Sequence, residues 1–294
     1  MNRHPSLLSN LVTAYMTLLQ FDLLILLVSV IAGLFGSILG LGGGIIVIPA
    51  LTLLFNIDIR YAIGASIVSV IATSSSAAAT YVRERMTNLR VAMVLEVATT
   101  SGALSGAYLA GHLSVRWLYV IFGVMMGYSS LMMFRKRHET ATVLVKSAPW
   151  ADYLRLHSSY FDRATGQEVS YRVVSTRIGL GLMYIAGVVS GLLGIGSGAL
   201  KVPAMDLAMR LPIKVSTATS NFMIGVTAAA SAGVYFVRGD IDPYIAAPVA
   251  TGVLIGAALG PHLMGHLHST TLRKIFVSVL LVISVQMLLK GVRG

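Results

Sequence analysis

Eight stretches of this chain run with almost no charged residue: 23–55, 62–82, 91–110, 117–134, 178–200, 215–237, 245–265 and 275–289. A bilayer core of about 30 Å needs roughly 20 apolar residues in a helix, and most of the stretches meet that length. In lipid every backbone polar group must be satisfied internally, which leaves helices and closed barrels. The strict alternation of barrel strands is absent. Charged residues make up only 11% of the chain, under half the quarter or so of a soluble domain, too few to cover a water-facing surface. The chain reads as an all-α polytopic membrane protein.

The formal charge of +11 could suggest a nucleic-acid partner. The basic residues instead fall between apolar stretches, at Arg83, Arg85, Arg90, Arg135, Lys136, Arg137, Arg155, Arg163, Arg172 and Arg177. That is how cytoplasmic loops orient a protein in the cytoplasmic membrane, and no nucleic acid is expected. The absence of cysteine excludes disulfides, thiolate metal sites and cysteine-based sulfur chemistry. No nucleophile–base pair, paired carboxylates or metal-ligand cluster stands out, so no catalytic residue, metal or cofactor is expected. Arg3 ahead of an apolar run has the look of a signal peptide. A similar segment recurs internally at 178–193, so the first is read as a retained membrane element.

A shift of 154 residues aligns two halves without a gap. Residues 33–50 (GLFGSILGLGGGIIVIPA) and 187–204 (GVVSGLLGIGSGALKVPA) share seven of eighteen positions, and 102–113 and 256–267 share seven of twelve. Ser66 aligns with Ser220, Thr73 with Thr227 and Tyr81 with Tyr235. Chance similarity between apolar segments would match Leu and Val, not a register of Gly, Pro, His and Ser. The expected organisation is a membrane repeat over 1–134, a polar cytoplasmic connector over 135–177 and a second membrane repeat over 178–294. Within the connector, 157–162 and 168–173 flank Ala164, Thr165, Gly166 and Gln167, a pattern for a β-hairpin.

Each half opens with an apolar helix, then a glycine break at 40–44 or 194–198, then a short apolar segment holding Pro49 or Pro203. That segment is too short to cross a bilayer. It suits a re-entrant hairpin or a broken helix, which is tolerated at membrane depth where it lines a cavity. Three further spans complete each half. The basic residues divide equally well for parallel and inverted repeats. Paired breaks at corresponding positions favour inversion.

The motif GLGGG with Pro49 five residues on, its echo GIGSG with Pro203, the segment AIGAS at 62–66 and the segment ATSNF at 218–222 together resemble the TauE/SafE family of sulfite exporters, over about residues 23–289. The resemblance implies a permease for sulfite or another small organosulfur anion, with the bilayer as its other partner and homo-oligomerisation left open. A passive anion channel and a non-transporting scaffold working through the connector are the alternatives.

Helix starts after the breaks would present backbone N–H groups and positive dipole ends, with glycine allowing close approach. The candidate anion cradle is therefore Gly42, Gly43, Gly44, Gly196, Ser197 and Gly198. Ser66, Thr73, Ser220, Asn221 and Thr227 are further donors, with Ser69 beside them. Lys201 stands where the first half has Val47 and reads either as a charge at the cavity mouth or as a lysine reaching the headgroups. Glu96 aligns with Ala250 and is either a proton-coupling carboxylate or the partner of an interfacial arginine. A site of neutral donors is preferred over Lys201, because the first half lacks the lysine. The G-x-x-x-G pairs Gly102/Gly106 and Gly256/Gly260 read as helix-packing surfaces.

Overall fold

The computed structural model describes residues 18–135 and 149–293. Arg3 and the basic residues Lys136 and Arg137 lie outside them. The first half contains α1 (Leu18–Leu39), the short α2 (Gly44–Pro49), α3 (Ile59–Arg83), α4 (Leu89–Ala110) and α5 (Val115–Arg135). The connector holds α6 (Pro149–Tyr153), β1 (Ser158–Asp162) and β2 (Gln167–Tyr171). The second half contains α7 (Thr176–Leu193), the short α8 (Gly198–Pro203), α9 (Ile213–Val237), α10 (Pro243–His266) and α11 (Ser269–Arg293). Beyond their prolines α2 and α8 widen into π-helical turns, Ala50–Leu54 and Ala204–Ala208. Proline lacks the N–H of a regular turn, and the wider turn accommodates it. The starts of α2, α3, α4 and α5 lie 154 residues from those of α8, α9, α10 and α11.

Among the described residues, seven helices (α1, α3, α5, α7, α9, α10 and α11) are long and apolar enough to cross a membrane. α4 is of similar length but carries Arg90 and Glu96. Polar caps start several of them. Asp58 accepts from the Arg60 N–H, Asn88 from Val91 and Asp242 from Tyr244, each satisfying a helix-end donor.

The helices pack crosswise. α1 lies against α10 and α7 against α4, while α3 pairs with α9 and α5 with α11. Small residues let backbones touch. A Cβ on Gly256 would fall 1.9 Å from the Val30 carbonyl oxygen, and one on Gly102 would fall 2.3 Å from that of Tyr184. Gly33 faces the Val253 backbone as Gly187 faces that of Thr99.

Gly43, ahead of α2, lies beside Gly36 and Ala32 of α1, and Phe55 past α2 meets Phe21 near the start of α1, ring centroids 5.4 Å apart. In the second half the Val174 N–H, before α7, donates to the Met209 carbonyl past α8 at 3.2 Å.

The connector is fastened at the other end from Phe21. β1 and β2 pair antiparallel, Ser158 opposite Tyr171 and Asp162 opposite Gln167. Asp162 takes a 2.7 Å bond from Lys214 at the start of α9, and Arg163 pairs with Glu84 at 3.0 Å. The Asn88 side chain donates to the Leu156 carbonyl and the Tyr171 hydroxyl, each at 2.9 Å. Burial raises the Tyr171 hydroxyl above its usual pKa, so it stays neutral in this contact at physiological pH.

The close contacts make an asymmetric prediction. Gly256→Val should leave little folded protein, because the side chain would enter the α1 backbone. Gly181→Ala, with nothing within 4 Å of the new carbon, should be neutral or stabilise by up to about 1 kcal/mol. Thermal unfolding in detergent checks both, and equal midpoints would contradict the packing.

Candidate functional site

The two breaks meet at the centre of the bundle. Gly42 and Gly196 both abut Val70 of α3 and Ile224 of α9. Gly40, Gly42 and Gly43 have φ of 71°, 78° and 67°, and Gly194 and Gly196 have 64° and 72°, a left-handed backbone that glycine adopts without steric cost. Ser197 holds φ 56° in place of Gly43. Its hydroxyl bonds the adjacent Gly196 carbonyl at 2.8 Å.

Breaking a helix frees its last carbonyls, and buried carbonyls need donors. Here the donors come crosswise. The Ser66 hydroxyl of α3 donates to the Gly194 carbonyl, and the Ser220 hydroxyl of α9 donates to that of Gly40, both at 2.8 Å. Asn221 donates its amide to the Ser37 carbonyl at 2.8 Å and to Thr217 at 3.2 Å. Tyr81 bonds the Ser37 carbonyl and Tyr235 that of Gly191, at 2.9 and 2.7 Å. Ser69 and Thr73 bond back along α3, to the Ser66 and Ser69 carbonyls. Ser66, Ser220 and Asn221, expected as donors to an anion, here direct their protons to backbone oxygen. Tyr81 and Tyr235, aligned in the sequence, were not recognised as donors to the breaks.

The glycines after the breaks are also close-packed against protein. A Cβ on Gly44 would fall 2.2 Å from the Ser66 hydroxyl, and one on Gly198 would fall 2.0 Å from the Gly40 carbonyl. Gly43 lies beside the Thr73 hydroxyl, and the Gly44 N–H is engaged by the Gly42 carbonyl at 2.6 Å.

The charged residues come together. Lys201 on α8 is fully buried, so it is neither at a cavity mouth nor extended to headgroups. Its ammonium donates to the Thr227 hydroxyl at 2.6 Å and stands 3.9 Å from Glu96 Oε2. Glu96, two turns into α4 and 9% exposed, therefore faces a lysine and not an interfacial arginine. Its Oε1 accepts from Thr227 at 2.7 Å and from Thr100 at 3.0 Å, while Oε2 is buried without a hydrogen bond. Thr100, four residues past Glu96 and so on the same helix face, was not singled out from the sequence. The aligned positions in the first half and its partner helix are Val47, Thr73, Ala250 and Leu254, so this polar cluster occurs on one side only.

If Ser66 and Ser220 serve the breaks, Ser66→Ala and Ser220→Ala should each cost about 1–3 kcal/mol of stability, because each leaves a buried carbonyl without its donor. Thermal unfolding measures this, and wild-type midpoints in both variants would contradict the role.

Comparison with known proteins agrees with a transport architecture. The profile of the family described as Sulfite exporter TauE/SafE matches residues 25–287. The chain is 27% identical over 281 residues to the probable membrane transporter protein YunE of Bacillus subtilis, covering 93% of this chain and 99% of that one. It is 27% identical over 239 residues to the probable membrane transporter protein YdhB of the same organism, covering 81% and 88%. A probable membrane transporter protein of Methanocaldococcus jannaschii is 24% identical, covering 92% and 98%. No solved structure gives a significant match. With its apolar helices and a family match over nearly its whole length, the chain belongs to the sulfite exporter TauE/SafE family and is a multi-pass membrane transporter.

Proposed function

We propose that this transporter carries a small sulfur oxyanion or organosulfur anion, with sulfite as the first candidate, outward across the cytoplasmic membrane, and that Lys201 is the charge on which the anion sits. The observation that carries this reading is the burial of Lys201 with its charge only loosely balanced. An ammonium has three donors, and among the described residues one is engaged, by Thr227. The carboxylate that balances its charge stands at 3.9 Å, beyond a normal hydrogen bond. Two donors on a buried cation suit a small oxyanion, and ionisable residues kept inside a membrane protein mark transport pathways. Lys201 is favoured over the neutral donors, because the Ser66, Ser220 and Asn221 protons are directed to backbone oxygen.

The same reading takes the breaks as re-entrant hairpins and the halves as inverted repeats. The contacts of Phe21 with Phe55 and of Val174 with Met209 support hairpins that open to opposite sides. Three crossings per half then bring the connector, with Arg155, Arg163, Arg172 and Arg177, to the cytoplasmic face together with Arg83, Arg85 and Arg90. Carrier sites commonly lie where such repeats meet.

Single loss of Lys201 would strand Glu96 as an unpaired buried charge, which costs stability on its own. The cleaner test is Lys201→Val combined with Glu96→Ala, which installs the residues found at the aligned positions of the other half. This double variant should fold at least as well as either single variant. It should bind sulfite about ten- to a hundredfold more weakly, the effect of losing a charge-assisted bond of about 1.5–3 kcal/mol. Flux in proteoliposomes with sulfite, sulfate, thiosulfate and a sulfonate reads this out. Wild-type sulfite flux in the folded double variant would overturn the assignment.

A further inference from the structure

The Lys201 site has a charge balance that a bound anion upsets. Lys201 and Glu96 together are neutral, and both are buried. An arriving monoanion would leave the cluster with one net negative charge in a medium that solvates charge poorly, a costly state. Among the described residues, no second cation is hydrogen-bonded or ion-paired to Glu96. α8 brings Lys201 and α9 brings Thr227. α7 lies against α4 beyond Glu96, with Tyr184, Gly187, Val188 and Gly191 along Thr99–Gly106, and of these only Tyr184 ionises, to an anion and not a cation. On α4 itself Arg90 is turned to the Arg155 carbonyl at 2.9 Å, and Thr100 is neutral. Glu96 is the one group in the cluster that can remove the excess charge, by protonation.

Its geometry suits that role. Oε1 already accepts from Thr227 and Thr100, whereas Oε2 is buried and carries no hydrogen bond. A proton placed on Oε2 therefore breaks no existing bond. The two threonines hold the carboxyl in place whether or not it is ionised, and Thr227 touches both Lys201 and Glu96. An anion on the ammonium and a proton on the carboxylate can replace the long Lys201–Glu96 attraction without moving either helix.

We propose that Glu96 takes up one proton each time a monoanion (hydrogen sulfite, in the case of sulfite) occupies Lys201 and releases it when the anion leaves, so that the two travel together and no net charge crosses the membrane. The step balances. The carboxylate gains a proton to become the neutral acid, the ammonium exchanges one counter-ion for another, and release on the far side reverses both. The inference rests on Lys201 as the anion site, but its test separates the two.

Full-length protein in potassium-loaded liposomes, with equal pH of about 8 on both sides, is supplied with sulfite, and valinomycin imposes a potential. Protein-free vesicles give the leak. With coupling, the final sulfite distribution in wild-type vesicles should not move with potential. Movement of one uncompensated charge would shift it about tenfold for each 59 mV or so, and that result would overturn the coupling while leaving the anion site intact. Absence of wild-type flux would overturn both. Glu96→Gln should either lose net flux or become potential-dependent by that same tenfold, and potential-independent flux in this variant would overturn the assignment to Glu96. The wild-type arm decides the coupling even if the variant does not fold.

Discussion

A helix that stops inside a membrane leaves its final carbonyls where no water can reach them, and the rest of this structure follows from how they are satisfied. The hydroxyl of Ser66 in one half bonds the broken helix of the other, and Ser220 returns the contact at the same distance. Tyr81 and Tyr235 add a donor each within their own halves. Two carbonyl ends are thereby tied to the central pair of helices, α3 and α9. The close approach of Gly198 to the Gly40 carbonyl is part of the same arrangement, since any larger residue would separate the two breaks and pull the hydroxyls from their acceptors. In lipid an unmet carbonyl costs more than it does at a water-facing surface, so these contacts specify the fold.

On this matched scaffold the charge is placed unequally. Lys201, Glu96 and Thr100 have Val47, Ala250 and Leu254 at their aligned positions, and only Thr227 is matched, by Thr73. A buried ion pair seldom stabilises a protein better than a well-packed apolar pair. The other half shows that apolar residues fit the corresponding place. Retention of a loose, costly pair in one half is consistent with use in transport. In the account proposed here, symmetry supplies two hairpins that can open to opposite sides, and asymmetry supplies a single binding charge with its own proton acceptor.

Much of the fold was legible because its signals are local. The apolar stretches are helices, the glycines at 40, 42, 43, 194 and 196 adopt the left-handed backbone that only glycine takes freely, and the connector hairpin falls within two residues of its expected strands. At the site the residue types were legible, but the partners they meet were not. Ser66, Ser220 and Asn221 were recognised as polar groups near the breaks, yet a hydroxyl serves a ligand or a carbonyl according to which oxygen lies nearest, and that oxygen belongs to the other half of the chain. Lys201 and Glu96 were each noticed and read separately. They meet only because α4 and α8 both lie against α9, a crosswise packing that no spacing along the chain encodes.

The central claim is that a small oxyanion sits on Lys201 and not on the backbone ends at the breaks. Selenite, the selenium analogue of sulfite, gives an anomalous scattering signal that locates it directly in a crystal of the protein. The account predicts selenium beside Thr227, with a selenite oxygen within hydrogen-bond reach of Lys201 Nζ and the Ser66 and Ser220 contacts to the breaks intact. Selenium held instead by Gly42, Gly43, Gly44, Gly196 or Gly198, with Lys201 still facing Glu96 as it does without anion, would contradict it.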